Sequence, residues 1–92
     1  MRYGYLLITA AERDTEAHKA REAALHADQV FWDYSDCKGS DRPSRLDLLE
    51  RLNAGDTIAV ESFDQLFTDW KDLAKTAHQL AEKKAVVEVM QG

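Results

Sequence analysis

Cysteine, proline and glycine are scarce in this sequence, and none of its apolar runs is long. The single cysteine, Cys37, cannot form an internal disulfide, so nothing in the chain calls for an oxidising compartment. No run approaches the ~20 apolar residues of a membrane span, and the first residues lack the apolar region of a signal peptide. We therefore predict a cytoplasmic protein that does not associate with a membrane.

Positive charge is also in short supply. Twelve lysines and arginines face seventeen aspartates and glutamates, which gives a net charge of -5. Because a DNA backbone is bound by cations that displace its counterions, this balance argues against autonomous DNA binding.

Metal-binding patterns are missing as well. The three histidines, His18, His26 and His78, contain no pair at helical i, i+4 spacing, and we interpret them as surface residues. Aspartates bracket the long polar segment that follows residue 34, but without an ordered ligand spacing they predict a solvated acidic loop: Asp33, Asp36 and Asp41. We expect no metal ion and no cofactor.

Alternating strand and helix signals fill the 92 residues, which suffice for one domain. Apolar or β-branched runs predict strands at 3–9, 30–34, 57–61 and 85–90. Helical spacing between them predicts helices over about 14–27, from Pro43 to about residue 53, and from about 69 to 83. The order predicts a single-domain, three-layer α/β fold with a mainly parallel sheet of four or five strands and helices on both faces.

Each predicted helix follows residues that favour N-caps, namely Asp14 or Thr15, Asp41 or Ser44, and Thr68 or Asp69. Small residues at helical spacing predict the buried face of the first helix: Ala17, Ala20, Ala24, Leu25 and Ala27. The corresponding stripe of the last helix is Trp70, Leu73, Ala74, Ala77, Leu80 and Ala81.

Three motifs in register carry a family resemblance. They are Met1-Arg2-Tyr3-Gly4-Tyr5, then Asp41-Arg42-Pro43 with Gly55-Asp56-Thr57, then Phe63-Asp64-Gln65-Leu66 with Asp72-Leu73. The chain resembles the N-terminal catalytic domain of small serine recombinases, the resolvases and DNA invertases, from residue 1 to about 90. The resemblance implies one resolvase-like domain over 1–92, lacking the long dimerisation helix and the helix-turn-helix of that family.

The resemblance also implies an active site whose side chains have changed. The family's nucleophilic serine falls on Thr9 and its active-site aspartate on Asp64. Its four arginines fall on Leu7, Arg42, Gln65 and Thr68, so one of the four remains. Because leucine, glutamine and threonine cannot stabilise the negative charge of a reacting phosphate, we expect the chain not to be an enzyme.

Two functions remain open on this basis. The first is a catalytically inactive, serine-recombinase-like module that binds a protein, such as a recombinase, another protein of a phage or mobile element, or a second copy of itself. The alternative is a divergent resolvase that takes part in DNA strand cleavage and site-specific recombination. Phe63, Phe67 and Trp70 would form an interaction surface if exposed together, although core packing is the favoured interpretation of these aromatic residues.

Overall fold

The computed structural model describes residues 1–35, 42–67 and 69–90. Strands and helices alternate along these residues, as the sequence pattern predicts. They are β1 (Arg2–Ile8), α1 (Glu16–Ala24), β2 (Gln29–Tyr34), α2 (Pro43–Arg51), β3 (Thr57–Val60), a short 3-10 helix (Phe63–Leu66), α3 (Trp70–Lys83) and β4 (Val86–Val89).

The four strands form one parallel sheet in the order β2-β1-β3-β4. Two apolar clusters cover its faces. Leu25, which ends α1, packs with Leu6 and Ile8 on one face, and residues of α2 and α3 pack around Tyr3 and Tyr5 on the other. The predicted three-layer α/β architecture, with its parallel sheet and helices on both faces, is confirmed.

The two neighbours of β1 accompany it over different lengths. β2 stays paired with β1 up to Ile8 and Tyr34, whereas β3 is paired only up to Tyr5 and Val60. The last three residues of β1 therefore extend past the end of β3. The chain leaves β1 and β3 toward helices on opposite faces, so a crevice opens between their carboxyl ends, where parallel α/β folds place their ligands.

Helix capping follows the sequence at two of the three helices. Thr15 caps α1 and Asp69 caps α3, each by accepting a hydrogen bond from the backbone N–H three residues on. At α2 the cap position is Arg42, which makes no side-chain capping bond. The predicted alternatives there differ, because Ser44 lies inside the helix and Asp41 lies outside the described residues.

The carboxylate of Asp33, at the end of β2, takes over the capping role at α2. It accepts the backbone N–H groups of Ser44 and Arg45 at 3.0 and 2.9 Å, and the Tyr5 hydroxyl at 2.7 Å. Burial, together with this carboxylate, raises the pKa of Tyr5, so the phenol remains a proton donor. Asp33 is thus a buried structural residue, and its assignment to a solvated acidic loop is wrong.

The buried face of α1 also differs from the prediction. Leu25 is buried as predicted, whereas Ala17, Ala20 and Ala24 face solvent and His18 is buried in their place. A Cβ on Gly4 of β1 would lie 2.7 Å from the Leu25 side chain, so Leu25 occupies the notch that this glycine leaves. The helix turns its larger side chains to the sheet because they fill this space better than alanine does.

His18 is therefore not a surface residue. Its ring lies edge-on to Trp32 at 5.7 Å between centroids, its Nδ1 accepts the Asp14 backbone N–H, and its Nε2 lies 2.8 Å from a Glu22 oxygen. These contacts hold the His18 ring between the first turns of α1 and strand β2.

Helix α3 buries Thr76 and Leu80, while Trp70, Ala74 and Ala77 are exposed. The prediction that Trp70 packs in the core is wrong, since 82% of this residue is exposed. A helix of 14 residues is about 21 Å long. A strand of 4 residues spans only about 13 Å. The first turn of α3 consequently extends beyond the sheet.

Replacing Asp33 by alanine should destabilise the domain by about 2–4 kcal/mol, since it removes two capping bonds and the partner of the buried Tyr5 hydroxyl. Asp47→Ala is the matched control, because Asp47 forms an exposed pair with Arg51 one turn along α2, and its loss should cost about 0.5 kcal/mol or less. Urea denaturation measures both. Equal losses would show that Asp33 does not anchor α2.

Candidate functional site

The residues implied by the family resemblance gather at the carboxyl edge of the sheet. Thr9 follows β1 directly, Asp64 and Gln65 belong to the 3-10 helix after β3, and Arg42 precedes α2. Leu7 lies in β1, two residues before Thr9. Thr68 lies outside the described residues, as do Asp36, Cys37 and Asp41.

Thr9 is exposed and forms a reciprocal pair with Glu12. The backbone N–H of Glu12 donates to the Thr9 hydroxyl oxygen at 3.3 Å, and the backbone N–H of Thr9 donates to Oε1 of Glu12 at 3.1 Å. The arrangement is that of a capping box, and it fixes the turn that follows β1. A hydroxyl that accepts one bond still has its own hydrogen to donate, so the Thr9 proton remains transferable.

Arg21, which reaches the crevice from α1, was not among the residues singled out by the sequence pattern. Its Nε donates to Oε2 of Glu61 at 2.9 Å, and its Nη1 donates to Oε2 of Glu12 at 2.7 Å. Its Nη2 donates to the backbone carbonyl of Leu7 at 2.9 Å. One guanidinium therefore joins the loop after β1, the end of β1 itself and the residue that follows β3.

Gln65 holds the Glu61 carboxylate from the other side. Its side-chain amide donates to Oε1 of Glu61 at 3.2 Å, and its amide oxygen accepts the Glu61 backbone N–H at 3.3 Å. Glu61 is the residue directly after β3, and polar residues at strand ends meet at one edge of a parallel sheet. That placement is the one sequence signal by which this cluster could have been found.

The electrostatics of the cluster follow from these bonds. The Arg21 guanidinium holds the pKa of Glu61 below its ordinary value, and the Glu61 carboxylate in turn raises the pKa of Arg21. The pKa of Glu12 is lowered first by the backbone N–H of Thr9 and then by Arg21. All three groups are therefore charged at neutral pH.

Two buried arginines hold the end of the 3-10 helix and the residue that follows it. Arg42 Nη1 donates to the carbonyls of Gln65 and Phe67 at 3.1 and 3.5 Å. Arg45 Nη1 donates to the carbonyl of Leu66 at 2.8 Å and to Asp72 at 2.5 Å.

The family aspartate position, Asp64, is exposed and accepts the Ser62 hydroxyl. The contacts recorded for Arg42 are thus with backbone carbonyls, which carry no formal charge, rather than with Asp64.

The aromatic residues of the predicted interaction surface lie around the start of α3. Phe63 is 43% exposed and its ring lies 5.7 Å from that of the half-buried Phe67, centroid to centroid. With Trp70 they bring apolar surface to the same end of the molecule as Thr9. Their role in binding a partner remains a prediction.

The described parts of the chain, 1–35, 42–67 and 69–90, contain no cluster of three or more histidine, cysteine, aspartate or glutamate side chains that could hold a metal ion. Within the same residues, every helix is too short or too polar to cross a bilayer.

Comparison with known proteins extends the resemblance. The family model for the resolvase N-terminal domain matches residues 3–92. The chain is 28% identical over 83 residues to the serine recombinase gin of Escherichia phage Mu, an alignment that covers 90% of this chain and 43% of that protein. It is 26% identical over 89 residues to the transposon Tn501 resolvase of Pseudomonas aeruginosa, covering 97% of this chain and 46% of that protein.

A third relative, the DNA-invertase hin of Salmonella typhimurium, is 26% identical over 82 residues and is covered over 43% of its length. The chain thus spans less than half the length of the curated relatives that it matches. These relatives are recombinases, resolvases and invertases, which are enzymes. They contradict the expectation that this chain is not an enzyme, which counted lost arginines at family positions.

The cluster of Arg21, Glu12 and Glu61 should make the free energy of unfolding depend on pH in the acid range. Because the folded pKa values of Glu12 and Glu61 lie below the ordinary 4.5, their stabilisation is complete above that pH and is lost as pH falls through the lowered values. Arg21→Gln should therefore lower the free energy of unfolding at neutral pH, and its difference from the unchanged chain should shrink below about pH 4.5.

Urea denaturation over a series of pH values measures this difference. Arg51→Gln, which removes an exposed arginine on α2, is the control and should show a small effect at every pH. A difference between Arg21→Gln and the unchanged chain that stays constant into acid would contradict the coupling.

Proposed function

Because this chain belongs to the resolvase N-terminal domain family, we propose that it is a divergent resolvase domain that takes part in DNA strand cleavage and site-specific recombination. The observation that carries the proposal is the position of Thr9. It is an exposed hydroxyl directly after the central strand β1, where the family has its nucleophilic serine. Arg42, the retained family arginine, precedes α2 at the same edge of the sheet.

The proposed chemistry is a transesterification. Thr9 Oγ1 attacks the phosphorus of a DNA phosphodiester, and a new Oγ1–P bond forms while the hydroxyl proton passes to water. The bond from phosphorus to one deoxyribose oxygen breaks, and that oxygen takes up a proton. No net hydrolysis occurs, so the reverse attack by a deoxyribose hydroxyl can rejoin a strand and release Thr9. The methyl group of threonine restricts χ1, so we expect slower attack than from serine.

Arg42 supports this chemistry through its charge. Its exposed fraction is only 7%, and the hydrogen bonds recorded for its guanidinium go to neutral carbonyls. Among the described residues no ion pair joins Arg42 to a carboxylate, and a cation in a largely buried setting attracts a developing phosphate anion strongly, since it is screened less there than in water. We propose that Arg42 stabilises the pentavalent phosphate.

Delivery of DNA is a separate step. The net charge of -5 opposes tight binding of a DNA backbone by this chain alone. We therefore propose that a partner protein, either a recombinase or a second copy of this chain, brings the DNA to the carboxyl edge. The exposed aromatic residues Phe63 and Trp70, with Phe67, are the proposed contact for that partner, because large exposed aromatic side chains favour protein interfaces.

Covalent trapping tests the role of Thr9. The chain is incubated with supercoiled plasmids that carry fragments of its source genome, reactions are stopped with detergent, and protein–DNA adducts are counted after separation. Thr9→Ser should raise the adduct yield by about tenfold, since it removes the crowding methyl group and keeps the hydroxyl. Thr9→Val should abolish the adduct.

Thr57→Val makes the same chemical change at the start of β3, at the opposite edge of the sheet, and should leave the adduct yield unchanged. An adduct that persists in Thr9→Val would exclude Thr9 as the nucleophile. If neither the unchanged chain nor Thr9→Ser forms any adduct, the proposal of strand cleavage is wrong.

A further inference from the structure

The crevice where β1 outruns β3 contains a cation at a place where the family resemblance does not put one. Resting on the function proposed above, we infer that Arg21 is the phosphate-binding arginine of this edge. Glu12 and Glu61 hold its guanidinium until a DNA phosphate displaces one of them.

Arg21 contacts one of the two described positions at which family arginines are missing, and it is joined to the other through Glu61. Its Nη2 binds the backbone carbonyl of Leu7 at 2.9 Å, and Leu7 stands where the family has an arginine. It binds Glu61, whose carboxylate is bonded in turn by Gln65, the other such position. An arginine at position 65 would compete with Arg21 for Glu61, whereas glutamine supports the pair. The positive charge at this place is therefore supplied by a residue of α1, Arg21.

Arg21 is also held close to the proposed nucleophile. The Glu12 carboxylate accepts the Thr9 backbone N–H on Oε1 and the Arg21 Nη1 on Oε2. A phosphate that replaced this carboxylate on Arg21 would therefore arrive beside Thr9. Carboxylate and phosphate both offer oxygen acceptors to a guanidinium. A phosphate can therefore replace the Glu12 carboxylate without any reorientation of the Arg21 guanidinium.

The cluster is open to solvent. The exposed fractions of the side chains are 25% for Arg21, 29% for Glu12 and 33% for Glu61. An anion can consequently reach the guanidinium without opening the core. Two carboxylates against one guanidinium leave a local charge that is negative, so the resting cluster repels DNA, and exchange requires that one carboxylate move away. Glu12 and Glu61 therefore set the affinity of this edge for phosphate.

Nuclear magnetic resonance of the arginine Nε–Hε groups tests the inference on the unchanged chain. Short duplex DNA is added at low salt, where millimolar affinities can be measured, and Arg21→Lys identifies the Arg21 signal by removing it. We expect the Arg21 signal to shift with added DNA. An Arg21 signal that stays fixed while DNA shifts that of Arg42 would overturn the inference and leave the proposed function standing.

Removal of the two carboxylate charges around Arg21 provides a second test. Glu12→Gln together with Glu61→Gln frees Arg21 while keeping an amide oxygen for the Thr9 backbone N–H, and it should tighten DNA binding on the order of tenfold. The matched control is Glu50→Gln with Glu82→Gln. It removes the same charge from exposed residues near the carboxyl ends of α2 and α3, at the opposite edge of the sheet, and should tighten binding much less.

Adding Arg21→Gln to the first double variant should abolish its gain. A gain that persists without Arg21 would show a general charge effect and would overturn the inference. Circular dichroism checks that each variant folds. If the double variant does not, titration of the unchanged chain with dimethyl phosphate decides by the Arg21 signal, which must shift. If DNA shifts no arginine signal in any folded variant, the inference about Arg21 is overturned, whereas the covalent adduct of Thr9 decides the proposed function.

Discussion

The carboxyl edge of this domain depends on the unequal pairing of β1. Since β3 stops at Val60 while β1 continues to Ile8, backbone acceptors at the end of β1 need partners from outside the sheet. Arg21 supplies one by donating to the carbonyl of Leu7, and this places a full positive charge in the crevice between the strands. That charge in turn fixes the carboxylates of the two adjoining segments. A backbone requirement thus determines where the charged side chains of the edge are found.

The two buried arginines also donate to backbone carbonyls that lack partners in the sheet. Arg42 and Arg45 donate to three successive backbone carbonyls, two at the end of the 3-10 helix and one directly after it, so they fix the course of the segment that follows β3. The N-terminal turn of α2, which carries Arg45, is fixed by Asp33 at the end of β2. The described segments of the edge are tied by charge-assisted bonds to backbone groups, which are shorter and stronger than neutral ones.

Much of this architecture could be predicted from local signals, and the remainder depends on tertiary shape. The succession of strands and helices along the chain and the caps Thr15 and Asp69 follow from residues that are neighbours in sequence. The face that α1 buries follows only in part, because Leu25 fills the notch at Gly4 as the stripe predicts, whereas His18 is buried in place of the alanines. The bond from Arg21 to Glu61 joins residues 40 positions apart, and no periodicity in the sequence connects them.

The error about enzymatic activity has a related cause. The expectation assumed that only arginines at the family positions can stabilise a phosphate. What stabilises a phosphate is the distance and direction of the hydrogen-bond donors around it, whichever positions supply them. In an α/β domain a guanidinium on a helix next to the sheet can reach the same crevice as one on a strand, since an arginine side chain is long and flexible. Leucine at position 7 therefore removes a side chain from the edge without removing positive charge from it, because the Leu7 carbonyl still binds Arg21. Two carboxylates surround that charge in this chain, and we propose that their competition with a phosphate, rather than the number of arginines, determines what this edge can bind.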